Sequence, residues 1–402
     1  MSRRSKIVAF PFLLMFLILL FFYREKWGSG GIFEKIKVDV YSSAVIVPII
    51  IEGKTYNFQL DTGAPTGISQ ELYSELCLNS LDSVSATDYY GNNSWVHRTI
   101  LPRIQIGNST FSGINSGIVK PIQSLFLCDK KIDGYLGGDF FHDKMLMINL
   151  KEEEVIITND RSKLPVRRQD ALKMELIGEQ LAPMIFIQVN NNIDEAVLFD
   201  TGSSNHFYHP QYYAVNQRLQ DGLIDATDIV DTVYTSSGRS LFGPQNDSIN
   251  FLVRYDTIRI GKLNFTNYVA STYSSAITPS YTSVLGAKSL QKGVVVLDYK
   301  YKHFYFTPYS STSLDFARGS DFYLAYKSGK WYAHAVKLGS SAYAQQIRDG
   351  FLLKQLNDIQ FDTFTDCDLL KLDWVFERSK QEVHYLFEFE GQEYCFNEFK
   401  DL

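Results

Sequence analysis

The sequence predicts a mainly β protein made of two related halves followed by a smaller, unrelated domain. Two observations carry that prediction. Phe58-Gln59-Leu60-Asp61-Thr62-Gly63-Ala64 returns as Val197-Leu198-Phe199-Asp200-Thr201-Gly202-Ser203, and each copy ends the same succession of strand-like runs. The repeat stops after residue 310, where the composition shifts.

A lone Asp-Thr-Gly is a weak signal, since these residues often mark only a turn after a strand. Here the context repeats as well. The apolar run Val45-Ile46-Val47-Pro48-Ile49-Ile50-Ile51 precedes the first copy, and Met184-Ile185-Phe186-Ile187-Gln188-Val189 precedes the second. Glu52-Gly53 turns the first pair and Asn191-Asn192 the second, and with the aspartates superposed the two hairpins align without a gap. The unit is strand, tight turn, strand, then Asp-Thr-Gly.

The repeat continues downstream. Ile104-Gln105-Ile106-Gly107 answers Ile258-Arg259-Ile260-Gly261, each followed by a polar turn and an aromatic, Phe111 or Phe265. Tyr135-Leu136-Gly137-Gly138-Asp139 then leads into Met145-Leu146-Met147-Ile148-Asn149-Leu150, as Val284-Leu285-Gly286-Ala287-Lys288 leads into Val294-Val295-Val296-Leu297-Asp298-Tyr299. The second copy is longer, and the extra length falls between Asp200 and Gly261.

With 402 residues, 45% apolar and 14% aromatic, the chain exceeds what one core serves and has ample material for several. A net charge of -6 without a basic stripe gives no footprint for nucleic acid. Arg3, Arg4 and Lys6 precede an apolar run from Ile7 to Tyr23 that Arg24-Glu25-Lys26 ends. No small-residue cleavage site follows directly, which favours a retained signal-anchor over 1–26 against a cleaved signal peptide or a buried core helix. The basic flank would stay in the cytoplasm and everything after residue 24 outside it, on the periplasmic or cell-surface side. Residues 27–37 are read as a linker, opening with the tether Trp27-Gly28-Ser29-Gly30-Gly31.

The first half is expected over 38–165, with helical character at Gln70 to Leu76 and a hairpin from Asp82 to Ile100 around Gly91-Asn92-Asn93. The second is expected over 166–310, with a matching hairpin at Thr232 to Gly243 and Ser236-Ser237-Gly238 at its tip. His206 and His209 have a spacing that suits a metal but lack a third ligand, so they are read as solvent-facing or capping residues, and neither metal nor cofactor is expected. Gly-x-Ser-x-Gly, His-Glu-x-x-His and Cys-x-x-Cys are missing, which leaves rival hydrolase and metal chemistries without a foothold. An oxidising compartment would allow the pairs Cys77 to Cys128 and Cys367 to Cys395; free buried thiols fit equally well.

These motifs resemble the aspartic peptidases of the retropepsin and pepsin kind, in which each lobe supplies one Asp-Thr-Gly loop and a later hydrophobic-hydrophobic-Gly strand beside it. Asp133-Gly134-Tyr135-Leu136-Gly137 resembles the family's Asp-Gly-Ile-Leu-Gly. The resemblance covers 38 to 308 and implies two retropepsin-like β-barrel lobes related by a pseudo-two-fold, with both loops in one chain. It assigns catalysis to Asp61 and Asp200 and support of the dyad to Thr62, Gly63, Thr201 and Gly202, the threonines bonding across the pair. It makes the two hairpins flaps, so that Tyr89, Tyr90, Gly91, Ser237 and Gly238 are candidates for contact with substrate. A surface hairpin with exposed aromatics is the competing reading for the tyrosines. Residues 311–402 resemble the PDZ domains of bacterial proteases through Gly339-Ser340-Ser341-Ala342 and the later Gly350 and Asn357. Phe351 stands where that pattern has Asp and Asp358 where it has Gly. A PDZ-like domain would hold a C-terminal peptide on a sheet edge, with Gly319 to Leu324 as its carboxylate nest; packing on the lobes is the alternative role.

Two carboxylates within about 3 Å cannot both ionise, so such a pair shares one proton and titrates as a unit. One is then base and the other acid, which suits attack by water on a peptide carbonyl without a covalent intermediate. Ala64 lacks the hydroxyl of Ser203, so the pair is expected to be electrically uneven. The expected function is a membrane-anchored, extracytoplasmic aspartic endopeptidase acting on peptide or protein substrates. The alternatives are a catalytically silent peptide-binding scaffold and lobes that complete their site with another chain.

Overall fold

The computed structural model describes residues 31–399 apart from 42, 89, 120–129, 191–192, 204–205, 236–238, 241, 245–247, 275–282, 311–315, 317–320, 328–329, 335, 337–338 and 362–381. The signal-anchor over 1–26, Tyr89, Ser237, Gly238, Cys128 and Cys367 therefore lie outside the described residues. Among the described residues no helix is long and apolar enough to cross a membrane.

The chain is mainly β. Its first part runs β1 (Phe33–Lys37), β2 (Asp39–Tyr41), β3 (Ala44–Ile51), β4 (Lys54–Asp61), β5 (Gly67–Ser69), α1 (Gln70–Glu75), β6 (Asp82–Thr87), β7 (Asn93–Ile100), β8 (Ile104–Ile106), β9 (Ser109–Phe111), β10 (Asn115–Val119), β11 (Gly134–Gly137), β12 (Met145–Asn149) and β13 (Glu154–Thr158). Then come β14 (Leu172–Ile177), β15 (Ala182–Val189), β16 (Ile193–Asp200), β17 (Tyr208–His209), α2 (Tyr212–Gln220), β18 (Ile229–Thr235), β19 (Arg239–Ser240), β20 (Gly243–Pro244), β21 (Ser248–Ile260), β22 (Leu263–Ser271), β23 (Val284–Gly286), β24 (Gly293–Asp298) and β25 (His303–Pro308). The last part holds β26 (Tyr323–Lys327), β27 (Lys330–His334), α3 (Ser341–Ala344), β28 (Leu352–Leu356), β29 (Ile359–Gln360), β30 (Glu382–Phe389) and β31 (Gln392–Phe399).

The same pairings recur in the first two parts. β3 and β4 form a hairpin closed by Glu52 and Gly53, both at positive φ, the twist that a two-residue hairpin turn needs. β15 and β16 form its counterpart. β8 flanks β3 as β21 flanks β15. β11 lies parallel to β4 with Gly137 opposite Asp61, and β23 lies parallel to β16 with Gly286 opposite Asp200. One difference has a local cause. In the first part Pro102 separates β7 from β8, because a residue without an N–H cannot extend the ladder, whereas β21 runs unbroken through the corresponding place.

Antiparallel pairing of β12 with β24, Met147 opposite Val296, joins the two parts through the order β1-β13-β12-β24-β25-β14. One face of this sheet packs Leu146, Ile148, Val295 and Leu297 into the main core, and the other packs Met145, Met147, Val296 and Tyr305 into a second cluster. Burial on both faces explains why these strands read as continuous apolar runs rather than alternating ones.

The structure corrects two boundaries. The linker expected over 27–37 ends early, because Phe33–Lys37 is a strand paired with β13. The second half also reaches past 310: Phe316 packs against Phe207 and Tyr268 at ring distances of 4.5 and 4.7 Å, and its N–H bonds to Thr266 O. Beyond it, the sheet β26-β27-β28-β30-β31 encloses a separate core around Phe322, Leu353, Tyr385, Phe387 and Phe396. Phe351 is buried against Phe389 and Tyr394, which accounts for an aromatic where a polar residue was expected. Within the expected nest at 319–324, Phe322 fills this core and Asp321 accepts the Ala342 N–H at 2.8 Å.

Candidate active site

Asp61 and Asp200 stand at the ends of β4 and β16, where each strand gives way to its turn. What brings them together is the pair of threonines that follow. Thr62 N–H donates to Thr201 Oγ1 at 3.0 Å and Thr201 N–H donates to Thr62 Oγ1 at 3.1 Å. Each hydroxyl then donates onward, Thr62 to Phe199 O at 2.8 Å and Thr201 to Leu60 O at 2.9 Å. Both threonines are fully buried, so four backbone groups that water cannot reach depend on two hydroxyls.

The glycines are fixed by the opposite half. A Cβ on Gly63 would lie 2.6 Å from Asp200 Cγ, and one on Gly202 would lie 2.6 Å from Asp61 Cγ. No side chain fits at either place without displacing a carboxylate. Backbone N–H groups also aim at the acids: Gly63 and Ala64 donate to Asp61 Oδ1 at 3.2 and 3.1 Å, and Gly202 donates to Asp200 Oδ1 at 2.8 Å.

The parallel strands β11 and β23 brace the loops from behind. A Cβ on Gly137 would meet Thr66 N at 2.3 Å, and one on Gly286 would meet His206 O at 2.3 Å. In the first half Thr66 completes the brace, its hydroxyl accepting from Gly137 N at 3.1 Å and donating to Asp139 Oδ1 at 2.7 Å. Burial raises the Asp139 pKa against those bonds.

The two carboxyl groups hydrogen-bond to each other, and both are held above the ordinary carboxylate range. For Asp61 the cause is burial first, then the charge of Asp200, and the rise is large. For Asp200 burial raises the value while the Gly202 N–H and the bond from Asp61 pull it back. Burial is the largest cause of the rise for both carboxyl groups, so each is held toward its protonated form. Ser203 acts on Asp200 through its backbone N–H.

The hairpin of β6 and β7 closes with Thr87 opposite Asn93, and Gly91 takes a φ of 89° in its turn. Tyr90 reaches the second half, its ring 6.5 Å from that of Tyr273 in an edge-on arrangement. Between β18 and β21, Phe242 donates its N–H to Asp88 Oδ2 at 3.0 Å. Asp88 and Phe242 belong to none of the sequence motifs. Asp88 was legible as a turn former, an Asp two and four residues before the N–H groups it captures; Phe242 carried no such signal.

The histidines differ from expectation. His209 lies buried in β17 rather than facing solvent, stacked on His206 with ring centroids 3.8 Å apart and 4.9 Å from the Tyr273 ring. Burial pushes the His209 pKa down to about 3 and takes His206 well below the ordinary imidazole range. Among the described residues no group of three or more His, Cys, Asp or Glu is placed to hold a metal.

Residues 47–140 match the model of a family described as Aspartyl protease. That stretch contains Asp61, Thr62, Gly63 and β11, and the match supports an aspartyl protease domain and peptidase activity. Asp200 lies outside it. No curated protein matches the chain.

Proposed function

We propose that the chain is an aspartic endopeptidase whose site is completed within one molecule by Asp61 and Asp200. The observation that carries this reading is the reciprocal threonine pair, because it ties two half-buried carboxylates from separate strands into one group. The ionised member of the pair takes a proton from water as the water oxygen attacks the peptide carbonyl carbon. The protonated member donates to the carbonyl oxygen as charge develops there. Collapse of the tetrahedral adduct then breaks the C–N bond, and the leaving nitrogen takes the proton held by the dyad. The two parts act as lobes related by a pseudo-two-fold, with Thr62, Gly63, Thr201 and Gly202 holding the dyad. The hairpin containing Tyr90 and Gly91 roofs the dyad against water.

The C-terminal sheet serves as a PDZ-like module that captures extended peptides by adding a strand. A helix capped by Ser340, whose hydroxyl accepts the Tyr343 N–H at 3.2 Å, and the Asn357-Asp358 turn between β28 and β29 support that assignment. The basic start and apolar run of residues 3–23 support anchoring in a membrane with residues 27–402 outside the cytoplasm.

Incubating the full chain with a diverse peptide library and reading the products by mass spectrometry tests the proposal. Discrete internal cleavages that vanish in Asp61→Asn are expected. Peptide binding without cleavage would leave the scaffold reading in its place.

A further inference from the structure

A cavity of about 550 Å³ opens where β13 ends and β25 begins, lined by Asn159, Asp160, Arg161, Arg168, Tyr301 and His303. None of these residues belongs to either Asp-Thr-Gly loop. Its acceptors are largely engaged and its donors are not. Asn159 Oδ1 takes the Ile32 N–H at 3.0 Å, which leaves its amide NH2. Asp160 Oδ1 takes the Ser162 N–H and hydroxyl at 3.0 and 2.8 Å. Arg161 gives Nε and Nη2 to the buried Asp298 at 3.3 and 2.7 Å, and its Nη1 makes no hydrogen bond among the described residues. Nη2 also meets His303 Nδ1 at 3.3 Å; a guanidinium only donates, so Nδ1 accepts and the imidazole proton sits on Nε2. Arg168 is exposed and has no ion pair among the described residues. The groups left over are donors, two of them on guanidinium cations, and the ligand they fit is an anion with several acceptor oxygens, such as phosphate. The segments 159–175 and 298–303 that frame the cavity carry seven Lys and Arg against four Asp and Glu, on a chain whose net charge is -6. A second hollow of about 730 Å³ adjoins it across Tyr301 and His303 and adds Lys302, Leu176 and Ile177. Glu175, the carboxylate there, is paired with Lys173 at 2.5 Å.

Where the chain enters the fold decides the source of that phosphate. Ile32 exchanges bonds with Asn159 at the cavity rim, its N–H ending on Oδ1 at 3.0 Å and its carbonyl taking the Asn159 N–H at 3.3 Å. Eight residues, 24–31, separate Ile32 from the apolar run that ends at Tyr23. Such a tether spans at most about 30 Å even when fully extended. We propose that the cavity is a headgroup site, which takes the phosphate of an anionic phospholipid from the membrane that holds residues 7–23. The inference rests on reading that run as a membrane anchor. Arg161, held by Asp298, is the fixed donor; exposed Arg168 closes on the phosphate from the other side, and Leu176 and Ile177 lie against the glycerol and the first acyl carbons. The basic face then lies on the bilayer, so that a single tether and one bound headgroup together set the orientation of the chain at the surface. Binding of this kind weakens as salt screens the charges.

The test titrates the full-length chain, in neutral detergent micelles, with dioctanoyl phosphatidylglycerol and reads amide exchange across 159–168 and 300–303 together with Tm. Saturable protection of both segments and a rise in Tm are expected. Arg168→Gln, an exposed position where folding should survive, is expected to weaken the binding by about tenfold or more, as loss of a hydrogen bond to a charged group does, and Arg168→Lys to restore part of it. No saturable protection in wild type, or equal protection in Arg168→Gln, overturns the site. Equal protection by dioctanoyl phosphatidylcholine overturns it too, since acyl contact alone would then explain the effect. Equal protection by inorganic phosphate at the same concentration makes the ligand a free anion and overturns the lipid assignment. Alkaline extraction of membranes reads the anchor separately. A chain that stays in the pellet yet ignores phosphatidylglycerol sinks the headgroup site alone, whereas a chain released to the supernatant removes the anchor and this occupant with it.

Discussion

Thr62 and Thr201 exchange hydrogen bonds across 139 residues of sequence, each backbone N–H ending on the other's hydroxyl at 3.0 and 3.1 Å. The exchange fixes where β4 and β16 end relative to each other. It therefore fixes where the two carboxylates meet, and position, burial and charge follow from it.

The first prediction concerns that exchange. Thr62→Val removes the acceptor of Thr201 N–H and the donor to Phe199 O, leaving both buried and unpaired. At about 1–3 kcal/mol for each orphaned group, the loss is about 2–6 kcal/mol. Thr201→Val should cost a similar amount, Thr62→Ser much less, and the double variant less than the sum, since the two sites share partners. Chemical denaturation of the four variants beside the wild type checks it.

The second concerns the acids and stability. Both aspartates have raised pKa values in the folded chain, so the native state binds more protons than the unfolded one between the ordinary carboxylate value of 3.8 and the folded value. Their contribution is fully present below 3.8 and is lost as pH rises through the folded value. At neutral pH the pair destabilises the fold. Asp61→Asn should therefore raise Tm at pH 7 and gain less near pH 4. Thermal melts at both pH values decide the sign.

A third prediction runs the other way. His209 is pushed down to about 3 from an ordinary value of 6.5, so the unfolded chain takes up a proton that the native chain refuses. Its contribution is fully present above 6.5 and is lost progressively as pH falls toward 3. Replacement by a neutral, similar-sized side chain, His209→Gln, should flatten the dependence of Tm on pH in that window. A slope unchanged from wild type would show that the ring is protonated in the folded chain.

The repeat was legible because both halves solve the same backbone problem with the same residues. Gly63, Gly137, Gly202 and Gly286 all stand where an added Cβ would strike a carboxylate or a backbone atom, and such places hold their residue type in both copies. β1 was illegible for the opposite reason. In Phe33-Glu34-Lys35-Ile36-Lys37 the phenylalanine is exposed, while Glu34 is buried, taking the Asn108 N–H at 2.8 Å and the Ser109 hydroxyl at 2.6 Å. A strand that buries a glutamate and exposes a phenylalanine has no period that hydrophobicity can reveal. Phe316 and the Asp88–Phe242 contact were hidden likewise, since each depends on a partner far off in sequence rather than on local pattern.

A fourth prediction uses the boundary at Phe316. Truncation after residue 316 should keep the second half folded and leave short peptides cleaved, while changing turnover of a protein substrate. Truncation before Phe316 should destabilise it, because the ring fills a place between Phe207 and Tyr268. Melting temperatures and peptide hydrolysis of the two truncations separate the cases.

The most direct test is hydrolysis of one susceptible peptide across pH by folded Asp61→Asn, Asp200→Asn and the double variant. If one proton and one water serve both acids, each single substitution should lower kcat by about 10²- to 10⁴-fold or more, and the double should be little worse than either, since residues acting as a unit are not additive. Wild-type hydrolysis by Asp200→Asn beside a dead Asp61→Asn would contradict the account, leaving the second Asp-Thr-Gly a structural turn.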